Sequence, residues 1–145
     1  MTKEDKGLLL KDLSARLPYG VKCHFKYGSA EDDITLSCID NNVARFEYGW
    51  YGSFHVSIDA DYIKPYLRPM SSMTEEECDM VEEILGDKCI FDFMSNGDIV
   101  LKQGQFSQNK LAKLYDYYTS IHIDYRGLIP KGLALKAPEG MYKIN

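Results

Sequence analysis

Apolar and polar residues alternate with a period of two through most of the run from Val21 to Leu67, and recur every three to four residues on either side of it. The first pattern is that of half-buried strands and the second that of amphipathic helices. Before the strand block, Leu9, Leu10, Leu13 and Leu17 predict a helix from about Lys3 to Arg16, stopped by Pro18-Tyr19-Gly20. In Val21 to Tyr27, Val21, Cys23, Phe25 and Tyr27 share one face, while Lys22, His24 and Lys26 share the other. Residues 28–33 read as a polar turn. Ile34, Leu36 and Cys38 then point inward, and Asn41-Asn42 offers a tight hairpin because asparagine tolerates positive φ. A third strand runs from Val43 to Tyr48. In a fourth, Phe54, Val56 and Ile58 alternate with His55, Ser57 and Asp59. The segment from Ile63 to Pro69 carries two prolines and reads as an exit from the sheet.

Downstream, a helix is predicted from near Thr74, with Ser72/Glu75 or Thr74/Glu77 as a capping box and Gly86 as its stop. Cys89 to Met94 and Ile99 to Leu101 flank Ser95-Asn96-Gly97-Asp98 as a second hairpin, and a third helix spans about Gln108 to His122, with Ser107 as its cap. The remainder, from Asp124 to Asn145, is an ordered coil. Sequential short strands joined by short turns predict an α+β fold: a small antiparallel SH3-like barrel or curled sheet flanked by helices, with a helical and hairpin C-terminal part. The domain reading is 1–70 as helix plus strand module, and 71–145 as helix, hairpin, helix and coil packing on it in one compact unit.

Composition sharpens this picture in two places. A chain of 145 residues with 45% hydrophobic content supports a real core. Net charge is −5, unevenly spread: residues 71–101 hold one Lys/Arg against nine Asp/Glu, whereas residues 102–145 hold seven against three. An acidic chain is a poor match for duplex nucleic acid, whose affinity rests on Lys and Arg at phosphates. The charged start MTKEDKG lacks the apolar stretch of a signal peptide, and no apolar run reaches the ~20 residues that span a bilayer. These features point to a cytoplasmic protein with no membrane partner. The four cysteines, Cys23, Cys38, Cys78 and Cys89, form no CxxC pair and read as reduced thiols.

Candidate chemistry is sparse. His122, Asp124, Tyr125 and Arg126 fall within five residues, either as an acid/base cluster or anion corner, or as a chain reversal fixed by Asp124 and Arg126 while Tyr125 packs. His24 and His55 lie on the predicted outer face without metal-ligand spacing, so no metal is assigned. Tyr48, Trp50, Tyr51 and Phe54, interleaved with Gly49 and Gly52, offer a stacking surface for a base, a peptide or another subunit, or close the end of a barrel. No Gly-rich phosphate loop, GxSxG elbow or HExxH motif occurs, and no cofactor is implied.

The segments Lys64-Pro65-Tyr66-Leu67-Arg68-Pro69-Met70-Ser71-Ser72-Met73-Thr74 and Asp124-Tyr125-Arg126-Gly127-Leu128-Ile129, continuing through Gly132-Leu133-Ala134-Leu135 to Ala137-Pro138-Glu139-Gly140-Met141-Tyr142, belong together with Leu17-Pro18-Tyr19-Gly20-Val21. With the opening helix, they resemble a family of small uncharacterised proteins of Bacteroides-type gut bacteria, often encoded on prophages and other mobile elements. The resemblance is weakest over 86–106 and brings no catalytic residues. It implies an intracellular accessory protein of a mobile element.

The functional expectation is a non-enzymatic binding protein of phage or mobile-element origin that engages a host protein, with Tyr48, Trp50, Tyr51, Phe54, Tyr125 and Arg126 at the binding surface. The alternatives are a small-ligand or nucleotide-binding protein that sequesters a signal, with Arg126 or Lys22 on phosphate, and a small enzyme using His122 and Asp124. Homo-oligomerisation is compatible with each.

Overall fold

The computed structural model describes residues 1–47, 53–58, 62–85, 91–93, 99–101 and 108–142. The chain divides into two compact units: Met1–Tyr66 with Lys131–Leu135, and Leu67–Pro130 with Lys136–Asn145.

The first unit opens with α1 (Lys3–Arg16), started by a reciprocal capping box. Thr2 Oγ1 accepts the Asp5 amide at 3.0 Å and the Asp5 carboxylate faces the Thr2 amide at 3.4 Å. A 3-10 turn over Leu17–Tyr19 and Gly20 at φ +68 end the helix where proline and glycine were expected to. The buried face differs from the leucine stripe: Leu9 and Leu13 are buried, and beside them lie Asp12 and Arg16 at 0% exposure. Those two are an i, i+4 pair on one face, with Nε to Oδ2 at 2.8 Å and Nη2 to Oδ1 at 3.1 Å.

The sheet contains β1 (Lys22–Tyr27), β2 (Ala30–Asp40), β3 (Val43–Glu47), β4 (Ser53–Ser57), β5 (Ile63–Leu67) and β8 (Leu135–Lys136), in the order β4-β3-β2-β1-β5-β8. The paired strands β1 to β4 are an antiparallel meander, as predicted, and Asn41 takes φ +55 in the β2–β3 turn. The alternation holds at Val21, Cys23 and Phe25, and again at Ala44, Phe46 and Val56, all buried. Phe25 and Phe46 stack at 5.6 Å. Burial pushes the Cys23 thiol up, and the nearby Asp12 carboxylate adds to this, which ties α1 to the inner face of β1.

Three expectations are corrected. The sheet is open, with β4 and β8 as its two edges, so no barrel forms; new strands add beside β1 instead of β4 turning back to close. The proline segment does not leave the sheet: β5 pairs antiparallel with β1, Pro65 opposite Cys23, and its burial alternates with Ile63, Pro65 and Leu67 inward. Proline removes one donor from a ladder but leaves the pleat intact, so alternation outweighs it here. The polar stretch 28–33 is mostly strand. Only Gly28-Ser29 turn, and Glu31 and Asp33 face Lys26 and His24 across the ladder, where opposite charges favour pairing. A register shift between Leu36 and Cys38 marks a bulge in β2.

The second unit holds α2 (Glu75–Leu85), β6 (Phe91–Phe93), β7 (Ile99–Leu101) and α3 (Gln108–Ser120). β6 and β7 pair antiparallel, giving the predicted hairpin; its Asn-Gly turn and Ser107 lie outside the described residues. Of the two possible capping boxes, Thr74/Glu77 forms, with the Thr74 amide donating to Glu77 Oε1 at 2.9 Å and the Glu77 amide donating to Thr74 Oγ1 at 3.2 Å. Val81 and Leu85 of α2 pack with Leu114 and Tyr118 of α3, Met70, Ile121 and Ile123 as one core. Lys110 donates to the Leu85 carbonyl at 3.0 Å, capping α2 from α3.

Candidate functional site: a groove beside the second helix

The second unit contains a cleft of about 760 Å³. One wall is α2 with its preceding turn, contributing Arg68, Pro69, Ser72, Thr74, Glu76, Glu77 and Met80; α3 contributes Tyr117. The other wall is the tail, Lys136 to Gly140 and Tyr142.

Arg68 organises the first wall. Its Nη2 and Nη1 donate to Glu77 Oε1 and Oε2 at 2.7 and 2.8 Å, a bidentate pair whose side chains are 14% and 7% exposed. The two terminal nitrogens also donate to the carbonyls of Ser72 (3.1 Å) and Ile121 (3.3 Å). The guanidinium holds the Glu77 carboxyl below its usual range, against the opposing effect of burial, with help from Thr74. Arg68 backbone forms a parallel bridge to Ile123, flanked by Arg68 N–H to His122 O and Asp124 N–H to Arg68 O, both 2.8 Å. Glycine-like geometry at the end of α3 supplies the partner. His122 adopts φ +61, its amide bonds the Thr119 carbonyl and the Ile123 amide bonds the Tyr118 carbonyl, a Schellman ending.

His122 is buried at a position that favours glycine, and its ring stacks on Tyr142 at 3.8 Å. Tyr142 lines the groove. The imidazole thus fastens the tail wall at one end, and the Ala137 amide fastens it at the other by donating to the Leu67 carbonyl at 2.8 Å. Asp124 Oδ1 and Oδ2 accept the amides of Leu128 and Ile129, each at 2.8 Å. Asp124 therefore holds the chain reversal, one of the two roles the sequence allowed it. Tyr125 packs against the core and stacks with Tyr115 at 5.0 Å, and the Arg126 guanidinium lies 4.7 Å from the Tyr125 ring centre. Tyr115 is 45% exposed, so Arg126, Tyr125 and Tyr115 form a half-open stack outside the groove lining. Of the aromatic set, Tyr48, Trp50 and Tyr51 lie outside the described residues; Phe54 is in β4, its side chain outside them too.

A second polar cluster sits on the first unit. His24 has Asp33 Oδ1 at 2.7 Å from Nδ1 and Glu31 Oε1 at 3.0 Å from Nε2, while Tyr66 donates to the same Asp33 oxygen at 2.8 Å. Hydrogen bonding from His24 brings the Asp33 carboxyl below its usual range. Partial burial, then the Asp33 bond, pushes the Tyr66 phenol up to about 12. Glu31 and Asp33 are half-exposed, and each group here is engaged by its neighbours. Among the described residues no group of three His, Cys, Asp or Glu is placed to hold a metal ion, and no described helix is long and apolar enough to cross a membrane.

Sequence reasoning found Thr74/Glu77 but not Arg68 as its partner, nor the groove. Arg68 between two prolines carried no periodic signal. Comparison with family models, curated proteins and solved structures returns no match.

Proposed function

We propose that this chain is a non-enzymatic binding protein that engages a partner protein through the groove beside α2. One observation carries the reading. The charged pair at the groove is consumed internally, because Arg68 and Glu77 spend themselves on each other and on backbone. Ser72 Oγ donates to the Pro69 carbonyl and Thr74 Oγ1 accepts the Glu77 amide. What the groove presents outward is apolar and aromatic: Met80 at 41% exposure, Tyr117, Tyr142, Pro69 and Pro138. Charged Glu76, Lys136 and Glu139 are exposed beside them. An apolar floor with a charged rim is the anatomy of a protein-binding patch. The acid/base alternative has less support, since Asp124 is engaged on two amides. A phosphate held by Arg126 has less as well, since that guanidinium lies over the Tyr125 ring and outside the groove lining. The resemblance to mobile-element proteins of Bacteroides-type bacteria extends the proposal to a cytoplasmic accessory role against a host protein.

Selection of peptides from a random display library on the folded protein tests this. Enriched peptides should lose binding to Met80→Arg while that variant melts as the wild type does. Binding that survives Met80→Arg and disappears with Trp50→Ala plus Tyr51→Ala would move the site to the aromatic loop and end the groove reading.

A further inference from the structure

The face of α2 beside the groove is unusually one-signed. Glu75, Glu76, Asp79, Glu82 and Glu83 are all exposed, and the helix carries no Lys or Arg. Glu77 is taken by Arg68; none of the other five forms an ion pair with a described residue. Glu76 and Met80 line the groove, and Glu83 continues the same i, i+4, i+7 stripe one turn on. An apolar side chain therefore sits between two carboxylates along one ridge. On the tail wall Lys136 and Glu139 offset one another, so the sign of the groove is set by α2.

We propose that the occupant of this groove is a basic, extended segment of the partner protein, with lysine or arginine side chains reaching the α2 carboxylates and apolar side chains between them seated on Met80 and Tyr117. This rests on the groove reading above and gives the chemistry of its partner. Charge complementarity selects the sign: an acidic segment would meet uncompensated like charge along the whole helix. Lysine and arginine also fit by shape, because their methylene stems cover apolar surface while the head group stays at the charged rim. The negative field reaches the side chains behind this face. The Cys78 thiol is raised by burial and then by Glu77, Asp79, Glu82 and Glu75, and the Tyr117 phenol by burial and then Glu77. Nucleic acid and anionic lipid are repelled by the same charges.

The display selection is read for sequence and followed by a synthetic copy of the most enriched peptide, measured by fluorescence anisotropy. The expected set is rich in Lys and Arg interleaved with apolar residues. The synthetic peptide should weaken about tenfold or more on Glu76→Lys with Glu83→Lys, and similarly on Met80→Arg. It should weaken further as salt shortens the screening length from ~10 Å at 0.1 M to ~3 Å at 1 M. Glu4→Lys, at an exposed position of α1, reports non-specific charge attraction and should leave binding within about twofold. Enriched peptides that need Met80 but are neutral or acidic would overturn the basic segment and leave the groove standing. Peptides indifferent to Met80→Arg, an empty selection, or equal losses with Glu4→Lys would overturn both.

Discussion

Glu77→Ala is the most informative single perturbation of the second unit. It deletes three things: both hydrogen bonds to Arg68, the acceptor for the Thr74 amide and the charge that neutralises a guanidinium only 14% exposed. Removing one partner of a largely buried pair leaves the other charge uncompensated, at ~3–5 kcal/mol. Arg68 keeps the carbonyls of Ser72 and Ile121, which places the expected loss toward the lower end. For a chain of this size each kcal/mol moves the melting temperature by ~2–4 °C, so a loss near ~3 kcal/mol lowers it by ~6–12 °C. Glu76→Ala, one residue away and exposed, should stay within ~0.5 kcal/mol of wild type. Thermal melts followed by circular dichroism supply the numbers, and their pH dependence supplies the mechanism. The Glu77 carboxyl is held below its ordinary value of 4.5 in the folded chain. Its stabilising effect is therefore full above pH ~4.5 and is lost as pH falls through the lower folded value. The gap between wild type and Glu77→Ala should be widest at neutral pH and close in acid. A Glu77→Ala protein that melts like Glu76→Ala, or a gap that is the same at pH 7 and in strong acid, would refute the argument.

Two further outcomes follow from the first unit. Asp12→Ala, which removes the carboxylate paired with the fully buried Arg16 guanidinium, should cost ~3–5 kcal/mol, and Asp12→Leu with Arg16→Met should recover most of it in denaturant titrations; a double variant no better than the single would count against a buried-charge cost. The Tyr66 phenol should ionise near pH 12, seen as the difference in tyrosinate absorbance between wild type and Tyr66→Phe, and Asp33→Asn should lower it part-way toward ~10 because burial remains. Since the raised value means that the folded chain holds its proton longer, the associated stability is present below pH ~10 and lost as pH rises from there through about 12.

Local rules carried the reading of the fold a long way. Period-two alternation located β1 and β4, and α1 begins and ends where the proline, glycine and leucine positions put it. The failures share a cause, namely a long-range partner outweighing a local signal. Glu31, Asp32 and Asp33 resemble a turn until His24 and Lys26 stand opposite them. Pro65 resembles a stop until β1 supplies its neighbour. The same holds at the groove. Asp124 was legible as fixing the chain reversal and Tyr125 as packing, but the residues that build the cavity, Arg68, Tyr117 and Tyr142, come from three separated stretches. Spacing along the chain contains no trace of that convergence.

The return of residues 131–135 to the first unit has a consequence for how the chain is made. Met1–Tyr66 emerge first, but the segment that carries buried Leu133 and Ala134 belongs with them and begins 65 residues later, at Lys131. At ~5–20 residues per second, the early strands wait roughly 3–13 s for their last pieces. During that interval β5 exists without β8 beside it, and its free edge is exposed to other chains. Proline at position 65, which was a puzzle for the finished sheet, suits the unfinished one: an edge lacking a donor is a poor template for a neighbouring nascent strand.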